Sequence, residues 1–358
     1  MVIGLICSEC ISLTKWGVYV QSRAKFAQSH QRRFSRWLHN SRIHVQRVYS
    51  PMIVAALAQW GVSELILIED TTMLWDEFCL IRLSIQYRGR AIPLIWRVLR
   101  HGSSSVGFEC YQLMLKRAAR LVPAGVSVRF LADRGFADTK LMRYLREDLQ
   151  WHFRIRVKSR VWIYRPHRGW KQLKQYHLAA GDSVLLQGIT LTKTRPLPNL
   201  NLAMGRDPIS HQLWLVVSDE PVSLQTFREY GERFQIEEEL LDEKSNGFQL
   251  ERSEIRSVPA LSRLCLVLAV TTLLLSVQGQ QVVTAGKRRW VDVHWERGNS
   301  YFRIGWNWLK GCLHKDWALF ASLELQGGRD PAPAIASKKQ AQQQSKREFT
   351  VQSYRFVP

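Results

Sequence analysis

The run Leu65-Ile-Leu-Ile-Glu-Asp70 places four apolar residues directly before two acids in a chain of 358 residues. An apolar run of this length predicts a strand buried in the sheet of an α/β protein. A second run over 126–131 predicts another buried strand, and Asp133 follows it closely. Because active sites of open α/β sheets lie at the carboxyl ends of strands, we expect Asp70 and Asp133 to converge at one edge of the sheet.

The sequence next to these strands predicts more of the same sheet. The runs 80–87 and 91–98 are joined by Arg88-Gly89-Arg90, which predicts an antiparallel hairpin. The other elements predicted here are helices over 107–121 and 138–149 and a strand over 153–158. Together they predict the first part of an α/β core over 63–158.

Residues 159–222 alternate short β-like runs with Pro, Gly and Asn, which predicts a β-rich insertion. The overlapping stretch 151–210 holds eleven Lys or Arg and only two acids, so the insertion is a candidate surface for a polyanion. The core is expected to resume over 223–326. Pro, Ala, Lys and Gln dominate much of 327–358, a composition typical of a disordered tail.

The chain is strongly basic, with 51 Lys and Arg against 30 Asp and Glu and a net charge of +21. Such a charge favours nucleic acid as the partner. Eight Lys or Arg and one acid lie in residues 1–60, with aromatic and apolar residues between them. We interpret 1–62 as a helical, basic DNA-binding region in which Arg32, Arg33 and Arg36 contact the backbone. The alternative is a solvated basic face without specific contacts.

The six cysteines are scattered through the chain, as in proteins of a reducing compartment. The amino terminus lacks the basic region and the cleavage site of a signal peptide. The longest apolar run, 264–277, is shorter than the roughly 20 residues of a membrane helix and predicts a buried core helix. We therefore expect a cytoplasmic, nucleoid-associated protein with no membrane partner.

An acidic stretch near residue 230 stands out in this basic chain, and Tyr230, Arg233, Glu237 and Lys244 lie within it with the spacing Y-x2-R-x3-E-x6-K. If 224–244 is one helix, a rotation of about 100° per residue sets the four at about 0°, 300°, 340° and 320°, on one face. The adjacent Glu238 and Glu239 would point away. The alternative, from spacing alone, is a surface helix held by salt bridges.

The three acids Asp70, Asp133 and Glu237 suggest a metal site. Close carboxylates repel each other unless a cation neutralises them, and hard oxygen ligands suit Mg²⁺, with Mn²⁺ as the alternative. Two such ions can activate an attacking oxygen and stabilise the leaving oxygen at phosphorus. Arg233 and Lys244 would then bind phosphates, while Tyr230 would contact a phosphate or stack on a base.

The spaced residues also occur in a recognisable order of motifs. Leu-Ala-Asp133-Arg-Gly-Phe-Ala-Asp precedes Phe-Arg-Ile-Arg-Val-Lys, and Tyr230-x2-Arg233-x3-Glu237-x6-Lys244-Ser-Asn-Gly-Phe follows. This order resembles the DDE transposases of bacterial insertion sequences, specifically insertion-sequence family four with its Y-R-E-K signature. The resemblance covers roughly residues 20 to 320.

The resemblance implies a ribonuclease-H-like catalytic core, a mixed sheet flanked by helices, with a β-rich insertion before the glutamate. It assigns Asp70, Asp133 and Glu237 as metal ligands, and it assigns Tyr230, Arg233 and Lys244 as contacts to the transposon end. It implies hydrolysis at the ends of a transposon, joining of the free 3′-hydroxyl to target double-stranded DNA, and a homodimer in the synaptic complex. The alternatives are a nuclease on the same fold, an inactive relic, and a DNA-binding regulator without catalysis.

Overall fold

The computed structural model describes residues 1–335 and 353–357. In the core and the insertion, ten strands were found: β1 Glu64–Leu74, β2 Phe78–Tyr87, β3 Arg90–Arg100, β4 Ser127–Ala132, β5 His152–Arg156, β6 Trp162–Arg165, β7 Gly169–Gln172, β8 Asp182–Leu191, β9 Leu197–Arg206 and β10 Leu213–Ser218. The α-helices are α1 Val2–Ser8, α2 Leu13–Trp16, α3 Ala27–His39, α4 Val45–Leu57, α5 Gln112–Ala118, α6 Thr139–Arg143, α7 Gln225–Gly231, α8 Phe234–Leu241, α9 Val258–Thr284 and α10 Tyr301–His314.

These strands form a single mixed sheet in the order β3-β2-β1-β4-β5-β10-β9-β8-β6-β7. The predicted hairpin is confirmed as β2 and β3, and β1 pairs antiparallel with β2. On its other side β1 runs parallel to β4, which runs parallel to β5. The chain is therefore an α/β protein with a mixed sheet flanked by helices, as the sequence predicts.

The insertion continues the core sheet. Strand β10 lies between β5 and β9 and is antiparallel to both, so it connects the two halves. Strands β8 and β6 extend the sheet beyond β9. The β-rich character predicted for 159–222 is present, and one continuous sheet carries both the core and the insertion.

Two of the predicted helices are shorter than the sequence pattern suggests. In the region 107–121 a 3₁₀ turn, Phe108–Cys110, precedes α5. In the region 138–149 the helix α6 continues into a π-helical turn, Tyr144–Asp148.

The amino-terminal region is helical and packs on the long helix α9. Arg263 of α9 donates hydrogen bonds to the carbonyl oxygens of Leu38, at 2.9 Å, and Ile43, at 3.1 Å. Trp16 is buried against Phe34, with the ring centroids 5.9 Å apart. These contacts attach the region to the core.

Helix α9 is the buried apolar helix that the run 264–277 predicts. By length and composition it would also pass for a membrane span, as core helices do, and 83% of its most apolar window is buried in the protein. It crosses α10 closely, since a Cβ on Gly279 would lie 1.8 Å from the carbonyl oxygen of Tyr301. A Cβ on Gly305 would lie 1.8 Å from the carbonyl oxygen of Leu275.

The segment 327–358, predicted as a disordered tail, is described only in part. Asp330 accepts hydrogen bonds from Arg297 and Tyr301, so 327–335 is attached to α10 and the loop before it. Ser353–Val357 forms a further strand, β11, parallel to β8. Residues 336–352 and 358 lie outside the described residues.

The α9–α10 crossing predicts a stability effect. Gly305→Ala should lower the free energy of unfolding by about 2 kcal/mol or more, because the new methyl group forces two helix backbones apart. Gly231→Ala is the matched control, since a Cβ there meets nothing within 4 Å. It should leave stability unchanged or raise it by up to about 1 kcal/mol. Urea denaturation followed by circular dichroism measures both, and equal effects would contradict the close crossing.

Candidate active site

The pairing of β1 with β4 sets Asp70 beside Asp133. The parallel register matches Glu69 with Ala132, and an aspartate follows each of these two residues in the chain. Strand β4 ends there, but β1 continues to Leu74 because β2 still pairs with it. Asp70 thus lies within a strand, not at its end as the sequence suggested, and Asp133 follows its strand as expected.

Arg233 lies between two of the three acids. Its guanidinium donates to Oδ2 of Asp70 at 3.3 Å and also to Oε1 of Glu237, one helical turn further on. The side chain is buried, and its guanidinium carbon lies 4.7 Å from the ring centroid of Phe234. A carboxylate on the sheet and a carboxylate on a helix therefore share one cation.

The carboxyl of Asp70 has an unusual environment. Burial raises its pKa to about 6 against the opposing effects of Arg233 and the backbone N–H of Thr71. The neighbouring carboxylates of Asp133 and Glu237 raise it further. The charges of two acids from other segments of the chain therefore act on Asp70.

The helical segment predicted over 224–244 is divided. Backbone N–H groups of Glu232 and Arg233 bond to carbonyl oxygens three residues earlier, which tightens the chain between α7 and α8. After α8 a π-helical turn, Asp242–Asn246, carries Lys244. The segment is therefore helical for most of its length, but it is not one regular α-helix.

The three adjacent glutamates of α8 point in three directions, as the helical rotation predicts. Glu237 contacts Arg233, Glu238 lies 3.8 Å from Arg90 in an ion pair, and Glu239 is buried. Only Glu237 therefore faces Asp70.

Glu239 anchors α8 to the sheet. It accepts hydrogen bonds from Arg82 and Ser84, each at 2.8 Å, and Arg82 forms a second ion pair with Glu243 at 2.7 Å. All three charged side chains are at most 2% exposed. Burial raises the pKa of Glu239 to about 8 and also raises that of Glu243, while Arg82 opposes both shifts.

Tyr230 and Lys244 are directed toward protein groups. Tyr230 is buried, and its ring packs edge-on against Trp214 at 5.3 Å. Burial raises the pKa of its hydroxyl, which the nearby Arg233 lowers in part. Lys244 donates to the carbonyl oxygen of Met73 at 2.6 Å and pairs with Glu251 at 3.4 Å, so it lies further along β1 than Arg233 does.

Two arginines that the sequence analysis did not single out, Arg134 and Arg156, are neighbours of Asp133 in sequence or in electrostatic effect. Arg156 is the last residue of β5. Burial lowers the pKa of its guanidinium, and the positive charges of Arg134 and Arg233 lower it further. Arg134 is exposed and follows Asp133 directly. Asp133 itself accepts a hydrogen bond from the backbone N–H of Gly135 at 2.6 Å. The alternating basic residues of 153–158 were the available signal for Arg156.

The arginines proposed for DNA contact lie on the outer face of α3. Arg32, Arg33 and Arg36 are exposed, whereas Phe34 and Leu38 on the other face are buried. Arg33 donates to the hydroxyl of Ser22 at 2.8 Å. Helix α3 thus presents a basic surface away from the core.

The donor set of the candidate site suits a hard divalent ion, because Asp70, Asp133 and Glu237 offer only carboxylate oxygens. As the side chains are placed, no group of three or more His, Cys, Asp or Glu in the described part of the chain is arranged to hold a metal. The guanidinium of Arg233 occupies the space between two of the acids. It is the cation that the carboxylates share in this structure.

No protein-family model matches the chain, and no curated protein matches its sequence. The chain is similar to a solved structure, a cryo-EM piggyBac transposase synaptic complex with hairpin DNA, at 11% identity and a TM-score of 0.45. The match covers 79% of this chain and 58% of that one, so this chain spans less than two thirds of that transposase's length. At this distance the similarity leaves family and function to be argued from the site.

The Arg82 anchor yields a prediction about stability and pH. Arg82→Met should cost about 3–5 kcal/mol at pH 7, because Glu239 and Glu243 remain buried without their cation. Arg82 opposes the burial that raises the pKa of both glutamates, to about 8 for Glu239, so its loss raises these pKa values further. The loss of stability should therefore be smallest at acidic pH, where both glutamates are protonated, and should grow as pH rises through about 8. Chemical denaturation at several pH values measures this.

The matched control is Arg100→Met. Arg100 pairs with Glu77 at 2.9 Å, but its side chain is 77% exposed. It should cost less than about 1 kcal/mol at every pH. Equal losses in both variants would show that the buried ion pairs do not anchor α8.

Proposed function

We propose that this protein is a DDE transposase that cuts transposon-end DNA and joins the 3′-hydroxyl to target DNA. The observation that carries the proposal is the sharing of the Arg233 guanidinium by Asp70 and Glu237, with Asp133 beside Asp70. The alternative, a surface helix held by salt bridges, does not account for two aspartates placed side by side by adjacent core strands. The spacing of Tyr230, Arg233, Glu237 and Lys244 supports insertion-sequence family four, and the strand order is compatible with its ribonuclease-H-like core.

The proposed cofactor is Mg²⁺, with Mn²⁺ as a substitute, as two ions held by Asp70, Asp133 and Glu237. When bound, the ions would activate the attacking oxygen and stabilise the leaving oxygen of an in-line displacement. Divalent ions would also oppose the burial and the carboxylate repulsion that together raise the pKa of Asp70, which is about 6 in their absence.

The arginines around the acids supply the complementary half of the site. Arg134 follows Asp133 directly, Arg233 bonds Asp70, and the charges of Arg134, Arg233 and Asp133 all act on Arg156. Guanidiniums bind phosphate oxygens in a bidentate manner. A DNA phosphate would give Arg233 an anionic partner outside the carboxylate pair. Arg233 would then orient the DNA strand, and Asp70 and Glu237 would be available to bind the metal ions.

Duplex DNA would be bound over a larger surface. The exposed arginines of α3 and the basic insertion provide cations on separate parts of the molecule. We propose that both contact the backbone of the transposon end, in a synaptic complex of two copies. The charge of +21 makes the affinity for duplex DNA steeply dependent on salt.

Neighbouring glutamates allow a controlled test of catalysis. Glu237→Gln should lower Mg²⁺-dependent cleavage of labelled transposon-end DNA by at least about 100-fold, since a metal ligand is lost. Asp133→Asn should do the same. Glu238→Gln, which removes a charge from the next residue, should stay within about threefold of the parent. Loss of activity in all three variants, or in none, would contradict the assignment.

The same assay separates the proposal from its rivals. A transposase yields products in which the cut 3′ end is joined to a target plasmid, a nuclease yields cut ends alone, and a binding protein yields neither. Joined products from the parent, absent with Asp133→Asn, are the expected outcome. Cleavage without joining in the parent would favour the nuclease.

A second prediction concerns Arg233 in the absence of DNA. Arg233→Gln should bind Mn²⁺ more tightly than the parent, by roughly tenfold, because the competing cation is gone. Titration calorimetry or the electron paramagnetic resonance signal of free Mn²⁺ measures this without any turnover. Asp70→Asn is the control and should weaken binding. Unchanged or weaker binding by Arg233→Gln would contradict the view that Arg233 and metal compete for the same carboxylates.

A further inference from the structure

The segment 287–297, which joins α9 to α10, displays large apolar side chains to solvent. Trp295 is 83% exposed, Val293 95% and Trp290 58%. We call this segment the tryptophan loop. An exposed Trp is costly in water, and clustered exposed apolar residues mark interaction sites.

The tryptophan loop is held in one shape from inside. The buried carboxylate of Asp292 accepts hydrogen bonds from four groups besides Arg288: the backbone N–H of His294, its ring Nδ1, the backbone N–H of Gly298 and the side chain of Asn299. The guanidinium of Arg288 bonds Asp292 and the carbonyl oxygens of His294, Trp295 and Glu296 at 2.6–3.2 Å. The loop therefore presents Val293 and Trp295 rigidly, at little entropic cost to a binding partner.

Cations lie over the aromatic rings of this surface. The guanidinium carbon of Arg289 is 4.8 Å from the ring centroid of Trp295, and Lys287 is 5.4 Å from that of Trp290. Lys315 lies 5.2 Å from the ring centroid of Trp317, which packs against Trp290. No salt bridge neutralises these three cations among the described residues, although the acids Glu296 and Asp316 are also exposed on these segments.

This combination fits single-stranded nucleic acid. Proteins that bind unpaired strands combine cations that follow the backbone with aromatic rings on which bases stack. Arg289 covers one face of Trp295, so a base stacked on the other face would complete a sandwich of guanidinium, indole and base. A second copy of the chain is a poorer fit, because each copy carries +21.

We propose that the tryptophan loop binds unpaired DNA by stacking a base on Trp295, with Arg289 and Lys287 contacting the adjacent phosphates. The surface lies on the α9–α10 connection, whereas β1, β4 and α8 carry the acids of the candidate active site. The inference goes beyond the proposed function, since binding of a single strand requires neither metal nor cleavage.

Fluorescence anisotropy of a labelled 20-residue thymidine oligonucleotide, in EDTA, tests the proposal with the full chain. The parent should bind, and Trp295→Ala should weaken the affinity on the order of tenfold, as expected for loss of one stacked base. Arg289→Gln should weaken it and reduce its salt dependence. Leu113→Ala, which removes another exposed apolar side chain, is the matched control and should have no effect.

Two further arms keep the outcomes distinct. Affinity for a 20-base-pair duplex should change less than twofold in Trp295→Ala, because the exposed side chain stacks only on unpaired bases. Asp133→Asn should bind the oligonucleotide as the parent does, so failure of the catalytic assignment would leave this result intact.

Three results would overturn the proposal. The first is equal oligonucleotide affinity for Trp295→Ala and the parent. The second is self-association of the parent, measured by sedimentation velocity, that is lost in Trp295→Ala. This result would assign the surface to a second copy of the chain. The third is Trp295-dependent binding to anionic phospholipid vesicles without binding to the oligonucleotide, which would assign it to a membrane surface.

Discussion

The burial of Arg82 between Glu239 and Glu243 is the interaction on which the candidate active site depends. Arg82 belongs to the β2–β3 hairpin at one edge of the sheet, and the two glutamates belong to α8 and the π-helical turn after it. Removing one partner from such a pair leaves an uncompensated buried charge, so the contact fixes the rotation of α8. With Glu239 turned into the core, Glu237 is the glutamate that faces Asp70.

A second constraint comes from the sheet. The parallel register of β1 and β4 places two aspartates side by side. Antiparallel pairing with β2 extends β1 past Asp70. The resulting group of acids requires a cation, and Arg233 provides one in this structure. Metal ions would compete with Arg233 for the carboxylates of this salt bridge, and a DNA phosphate would compete with the carboxylates for Arg233. Under the proposed function, substrate binding and metal binding would be linked through this single side chain.

The sequence predicted the parts of this arrangement that follow local periodicity. The β2–β3 hairpin, the buried helix α9 and the divergent directions of Glu237, Glu238 and Glu239 follow from strand alternation and from 100° per residue. The tight turn at Glu232 and Arg233 and the extension of β1 past Asp70 depend on contacts with neighbouring elements, which no local pattern encodes. The burial of Tyr230 depends in the same way on Trp214, which lies on a strand of the insertion.

The central claim, that Asp70, Asp133 and Glu237 form one divalent metal site, is tested most directly by crystallography. Crystals of the protein with Mn²⁺ and transposon-end DNA would locate the metal by its anomalous scattering. The account predicts Mn²⁺ within about 2–2.5 Å of oxygens from all three carboxylates, with Arg233 on a DNA phosphate. Mn²⁺ bound elsewhere, with Arg233 still between Asp70 and Glu237, would contradict it.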